Sequence, residues 1–146
     1  SELARREVPA YLDQLGARLR DAYNALAADL GVDFTRCVGF GCRTLVTFEK
    51  KGAAADVDPL LMKSFVQQEL IRHGVLWTGF HNLSAAHTLD DVGYLLGAYR
   101  AVLPALKEAV ARGKLAESLR GEPVEPVFRR TTSFNIKPRE AVRRAG

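Results

Sequence analysis

Apolar residues return at steps of three and four from Val8 through Leu12, Leu15, Leu19, Tyr23, Leu26 and Leu30, the period of one face of an α-helix. Asp13, Arg18, Arg20, Asp21 and Asp29 fall between them, so this helix has one wet face and one that needs a cover. Pro9 stands near its start, where it opens or kinks the helix, and Gly31 ends it. From Thr35 to Glu49 the helical period is lost and β-branched and aromatic residues crowd together. That pattern predicts two strands around Gly39 and Gly41, with Leu45 to Phe48 as the stronger one. Lys50 to Val57 reads as a loop.

Asp58-Pro59 predicts a sharp helix start, because the carboxylate accepts from free backbone N–H groups and proline has none to lose at the first position. Leu61, Met62, Phe65, Val66 and Leu70 keep the helical spacing until His73-Gly74 closes it. Val75 to Trp77 then reads as a short strand, Thr78-Gly79 as a turn and Phe80 to Ala86 as the returning strand of a second hairpin, with Phe80, Asn82, Ser84 and Ala86 on one face. Thr88-Leu89-Asp90-Asp91 is a helix cap with an acid three residues on. Val92, Leu95, Leu96, Tyr99, Val102, Leu103, Leu106 and Val110 follow at helical spacing, with a bend expected at Pro104 and an end at Gly113. Pro123 and Pro126 forbid regular helix beyond Leu119, and loose structure is expected from about Thr131.

Helix, two strands, helix, two short strands, helix and tail together predict an α+β fold: a small antiparallel or mixed sheet of three to four strands, helices on one face and a long N-terminal helix. With 47% hydrophobic and 26% charged residues in 146, the chain suits one globular domain, taken as residues 1–130, followed by a basic tail at 131–146. The net charge of +4 is concentrated at the end, where residues 121–146 hold six Lys and Arg against three acids. A base-stacking surface is not expected there, since the only aromatics are Phe128 and Phe134. No apolar run approaches about 18 residues, and Glu2, Arg5, Arg6 and Glu7 stand where a signal-peptide core would. No nucleic acid, no membrane and a cytoplasmic setting are the expectations.

The candidate chemistry is sparse. Cys37 and Cys42 are too few for a disulfide scaffold, and pairing either with His73, His81 or His87 as an activated thiolate lacks a third residue to orient the base. Neither CxxC nor HxxxH spacing occurs, so no metal site is expected. The glycines lack the Lys-Ser/Thr of a phosphate loop, and Asp90 and Asp91 suit the positive end of the helix they open. The polar stretch from Phe80 to Thr88 reads either as ordinary turn and cap chemistry or as the edge of a cleft.

Three phrases carry a family resemblance: Cys-Arg-Thr-Leu-Val-Thr-Phe at 42–48, Phe-Val-Gln-Gln-Glu-Leu-Ile-Arg-His-Gly-Val-Leu at 65–76, and Ser-Ala-Ala-His-Thr-Leu-Asp-Asp-Val at 84–92. In that order they resemble the C-terminal small domain of class III pyridoxal-phosphate aminotransferases, most of all the branch of glutamate-1-semialdehyde aminomutase. The resemblance implies a transferase or isomerase whose cofactor, pyridoxal 5'-phosphate, is held by a lysine of a separate large domain, as a rule in a homodimer acting on small amino or carbonyl substrates. Lys50, Lys51, Lys63, Lys107, Lys114 and Lys137 lie in loops, on helix surfaces or in the tail, and none has that lysine's strand context. No catalytic or cofactor-binding residue is therefore assigned to this chain. Its candidates are cleft residues: Arg43, Trp77, Thr78, His81 and Asn82. Many ω-aminotransferases of the class carry an arginine clamp where this chain reads His81-Asn82-Leu83-Ser84, a departure that favours the aminomutase-like branch. The rival reading is a stand-alone binding or dimerisation module that keeps the small-domain fold without the chemistry.

Overall fold

The computed structural model describes residues 7–125. Helix α1 spans Val8–Asp29, strands β1 and β2 span Thr35–Phe40 and Arg43–Phe48, and a single 3-10 turn follows at Gly52–Ala54. Helix α2 is Pro59–Arg72, strand β3 is Phe80–Asn82 and helix α3 is Leu89–Ala111. The three strands form one antiparallel sheet in the order β1-β2-β3. This is the expected α+β arrangement with its long first helix; the expected tail at 131–146 lies outside the described residues.

The helix ends follow local chemistry. Asp58 Oδ1 accepts from the Leu60 N–H at 2.9 Å, with Pro59 in the first turn behind it. Thr88 and Asp91 form a reciprocal capping box: the Asp91 N–H donates to Thr88 Oγ1, and Asp91 Oδ2 accepts from the Thr88 N–H at 2.7 Å. Gly31, Gly74 and Gly113 each take the positive φ that follows a helix end. Pro104 lies within α3 without ending it. Removing the Thr88 hydroxyl frees one orphan N–H at the start of α3, so Thr88→Ala is expected to lower stability by about 1 kcal/mol, read as a lower urea midpoint at unchanged slope.

The strands alternate cleanly. Thr35, Cys37, Thr44, Val46 and His81 are buried on the inner face, while Arg36, Phe40, Arg43 and Asn82 are exposed on the outer one. Helix α1 packs on β1 and helix α2 on β2, while α3 reaches the inner face through Tyr99, whose hydroxyl meets His81 and whose ring meets Tyr23 of α1 edge to face at 4.8 Å between ring centres. Phe34, Met62, Val66, Leu70, Leu103 and Leu106 are fully buried around this pair.

The second hairpin is not formed. Val75 to Trp77 carries no strand; instead the Val75 N–H caps α2 by donating to Leu70 O at 2.9 Å. The returning segment pairs with β2, as Gly79 O accepts from the Val46 N–H and the Leu83 N–H donates to Cys42 O. A three-residue hairpin standing alone is marginal. Pairing with an existing strand, and letting Trp77 sink to 2% exposure against Tyr99, buries more and satisfies more. The strand also ends at Asn82, so Ser84 and Ala86 belong to a turn and not to its face.

Candidate functional site

A cavity of about 470 Å³ lies between β3, the loop before it and the first turns of α3. Four of the five sequence-predicted site residues, Trp77, Thr78, His81 and Asn82, line it, joined by Phe80 and His87. The fifth, Arg43, stands beside it: its guanidinium lies 4.5 Å over the centre of the Phe80 ring. Trp77 and His81 are buried, whereas Thr78, Asn82 and Arg43 are exposed.

His81 belongs to a polar chain inside the core. Its Nδ1 meets the Thr44 hydroxyl at 2.8 Å and its Nε2 meets the Tyr99 hydroxyl at 2.8 Å. A neutral imidazole offers one donor and one acceptor, and two hydroxyls can serve both. Burial pushes the ring's pKa down to about 4. Burial likewise raises the pKa of the Tyr99 and Tyr23 phenols well above the ordinary value. Tyr23 in turn meets Thr35 Oγ1 at 2.8 Å, and that hydroxyl donates to Thr47 O.

Cys37 Sγ sits 4.0 Å from His81 Nδ1, the pairing that a thiolate mechanism would need. The environment opposes it, since burial pushes the Cys37 thiol up while it pushes the imidazole down. Both partners stay neutral, so no thiolate–imidazolium pair forms. Cys42 is exposed and also free.

His87 was legible as a polar residue of the 80–88 stretch but was not singled out as a site residue. The Ser84 N–H donates to its Nδ1 at 3.0 Å, which leaves the ring proton on Nε2, and the Tyr11 hydroxyl donates to its backbone carbonyl at 2.5 Å. Asp91, the acidic residue of the lining, is held as a carboxylate below the usual range by the Thr88 N–H and hydroxyl. Trp77 Nε1 is the one side-chain polar atom among the described residues that is buried without a partner. Such an orphan costs about 1 to 3 kcal/mol.

Pyridoxal phosphate does not fit these residues. Lys50, Lys51, Lys107 and Lys114 are exposed and Lys63 half-buried, and no lysine lines the cavity at β3. Lys107 Nζ donates to Leu30 O, and Lys51 lines a different cavity together with Arg36, Asp33 and Glu49, where two carboxylates offset the two cations. No group of three or more His, Cys, Asp and Glu stands together as a metal site among the described residues. None of their helices is long and apolar enough to cross a membrane.

No protein-family model matches the chain, and no curated protein does. Among solved structures it is similar to an omega-transaminase from Sphaerobacter thermophilus, with a TM-score of 0.60 and 21% identity. The match covers 70% of this chain and 26% of that one. At this identity the likeness is one of fold, and the chain spans about a quarter of the length of the protein it matches.

Proposed function

We propose that the chain is the C-terminal small domain of a pyridoxal-phosphate-dependent aminotransferase or aminomutase of class III, and that it closes one side of a substrate cleft. The observation that carries this reading is the fold it shares with a quarter of an omega-transaminase. The cofactor and its lysine belong on a large domain, and the working protein is a cytoplasmic homodimer of the two-domain unit. Around the cavity, Leu76 and Tyr94 stand 87% and 63% exposed. Apolar side chains left so open on a rim suit a covering domain. The Tyr94 hydroxyl, tied to His73 O at 2.6 Å, holds its ring in place for that contact.

This chain's own residues bind, orient and exclude water. The aromatic wall of Trp77 and Phe80 keeps water from one side of the cleft, while Asn82, Thr78 and His87 Nε2 present polar groups to a small amino or carbonyl substrate. The absence of an arginine between His81 and Ser84 favours the aminomutase-like branch. Pyridoxal phosphate added to this chain alone is expected to give no visible band of a lysine-bound cofactor, and a clear band would overturn the reading. Mixing with a cognate large domain is expected to produce that band and amino transfer. A chain that forms no complex with it is a stand-alone module instead.

A further inference from the structure

The wall of the cavity at β3 is supported by a helix that does not line it. Leu83 and Val92 belong both to that wall and to a small apolar cluster completed by Leu15 and Leu19 of α1, apart from the main core around Tyr23 and Tyr99. The first half of α1 therefore backs the cavity. Four residues nearer its start, on the same side of the helix as Leu15, Tyr11 reaches that wall a second time: its hydroxyl donates to His87 O at 2.5 Å, across 76 residues of chain. The other bonds at this turn are local. The His87 N–H donates to Ser84 O and the Ser84 N–H donates to His87 Nδ1, each at 3.0 Å, while the Thr88 N–H donates to Asp91 Oδ2 at 2.7 Å. The peptide between His87 and Thr88 is thus held by its N–H from α3 and by its C=O from α1. A turn closed only by bonds within a few residues opens readily, and the Tyr11 bond ties this one to a second helix.

We infer that Tyr11 is a positioning residue: by holding the His87 carbonyl it fixes the His87 ring against the cavity, so that the seating of α1 sets the geometry of the cleft wall. Tyr11 does not line the cavity and touches nothing bound there; it acts through His87, which does line it. The ring is folded back on its own turn, its Nδ1 facing both the N–H and the hydroxyl of Ser84 at 3.0 Å. Where the backbone of that turn goes, the Nε2–H goes with it. The role of the ring in a substrate cleft rests on the reading of the chain as a cleft-closing domain, but the first test needs this chain alone.

The full chain, labelled with nitrogen-15, is observed by NMR at about pH 8, where an imidazole is neutral. A Ser84 N–H bound to His87 Nδ1 gives a scalar coupling across the hydrogen bond, and its size reads the position of the ring. Tyr11→Phe keeps the aromatic ring, removes only the hydroxyl, and should fold, since the side chain is already 38% exposed. In that variant the coupling is expected to fall to about half or less, the scale of losing one hydrogen bond from an exposed turn. The ring resonances of His81, held by Thr44 and Tyr99, should stay where they are. An unchanged coupling, or an equal change at both histidines, would overturn the proposal. In the enzyme assembled with its large domain, Tyr11→Phe and His87→Ala are each expected to lower kcat/KM by about two- to tenfold. The double variant should fall no further than His87→Ala, because both act through one ring; additive losses would also overturn it. Failure to assemble defeats the cleft reading and leaves the coupling to report on Tyr11. Assembly with an unchanged coupling in Tyr11→Phe defeats the role of Tyr11 alone.

Discussion

Lowering the pH from about 6.5 to about 4 is expected to remove about 3 kcal/mol of folding stability through His81 alone. The ring is folded into the core neutral, with the Thr44 and Tyr99 hydroxyls on its two nitrogens. Its pKa is about 4 in the folded chain and 6.5 for the free side chain, so between those values the unfolded chain takes up a proton that the folded chain refuses. The contribution is complete above about 6.5, declines through the window and is gone below about 4. Urea unfolding across this range should show the slope, and His81→Gln, which cannot titrate but still offers a donor and an acceptor, should lose most of it. An undiminished slope in that variant would assign the acid sensitivity to the carboxylates instead. Tyr99→Phe leaves His81 Nε2 unpaired and is expected to cost about 1 to 3 kcal/mol at neutral pH.

Gly16→Ala is expected to destabilise the chain by about 3 kcal/mol, the upper part of the range for overpacking. A Cβ at residue 16 of α1 would lie inside contact distance of the Gly41 carbonyl oxygen, and Gly41 sits with φ of 46° in the two-residue turn between β1 and β2. Backbone meets backbone there, so neither side can yield by changing a rotamer. Gly97→Ala is the control of opposite sign. Nothing lies within 4 Å of a Cβ at that α3 position, so the change removes only the entropic cost of a helical glycine and is expected to add about 0.5 to 1 kcal/mol. Equal urea midpoints for the two variants would show that α1 does not depend on this close approach to the turn.

Both effects come from contacts between residues far apart in sequence, and that divides what could be read from what could not. Asp58-Pro59, His73-Gly74 and Thr88 to Asp91 announced their helix boundaries because capping is settled within a turn of chain. The stripe from Leu15 to Leu26 announced a buried face because a helix fixes which residues share a side. Neither kind of signal reports the partner. The segment from Val75 to Ala86 looked like a hairpin because its residues suit strands, yet nothing local in it says that β2 is the better neighbour. His81 looked like a polar residue of a cleft edge, and its burial depends on Thr44 and on Tyr99 of α3.

The sequence by itself determined the helices, their ends, the β1–β2 turn and the α+β class, since each follows from periodicity or from bonds spanning a few residues. It also identified Trp77, Thr78 and Asn82 as residues of one stretch, though not the cavity they line. Only the tertiary structure decided that β3 joins β2, that His81 is a neutral core residue, and that Arg43 stands over Phe80 beside Asn82. The physical reason is the same in each case: strand register and desolvation are set by what packs against a residue, and neighbours in space are not written in the spacing of neighbours along the chain.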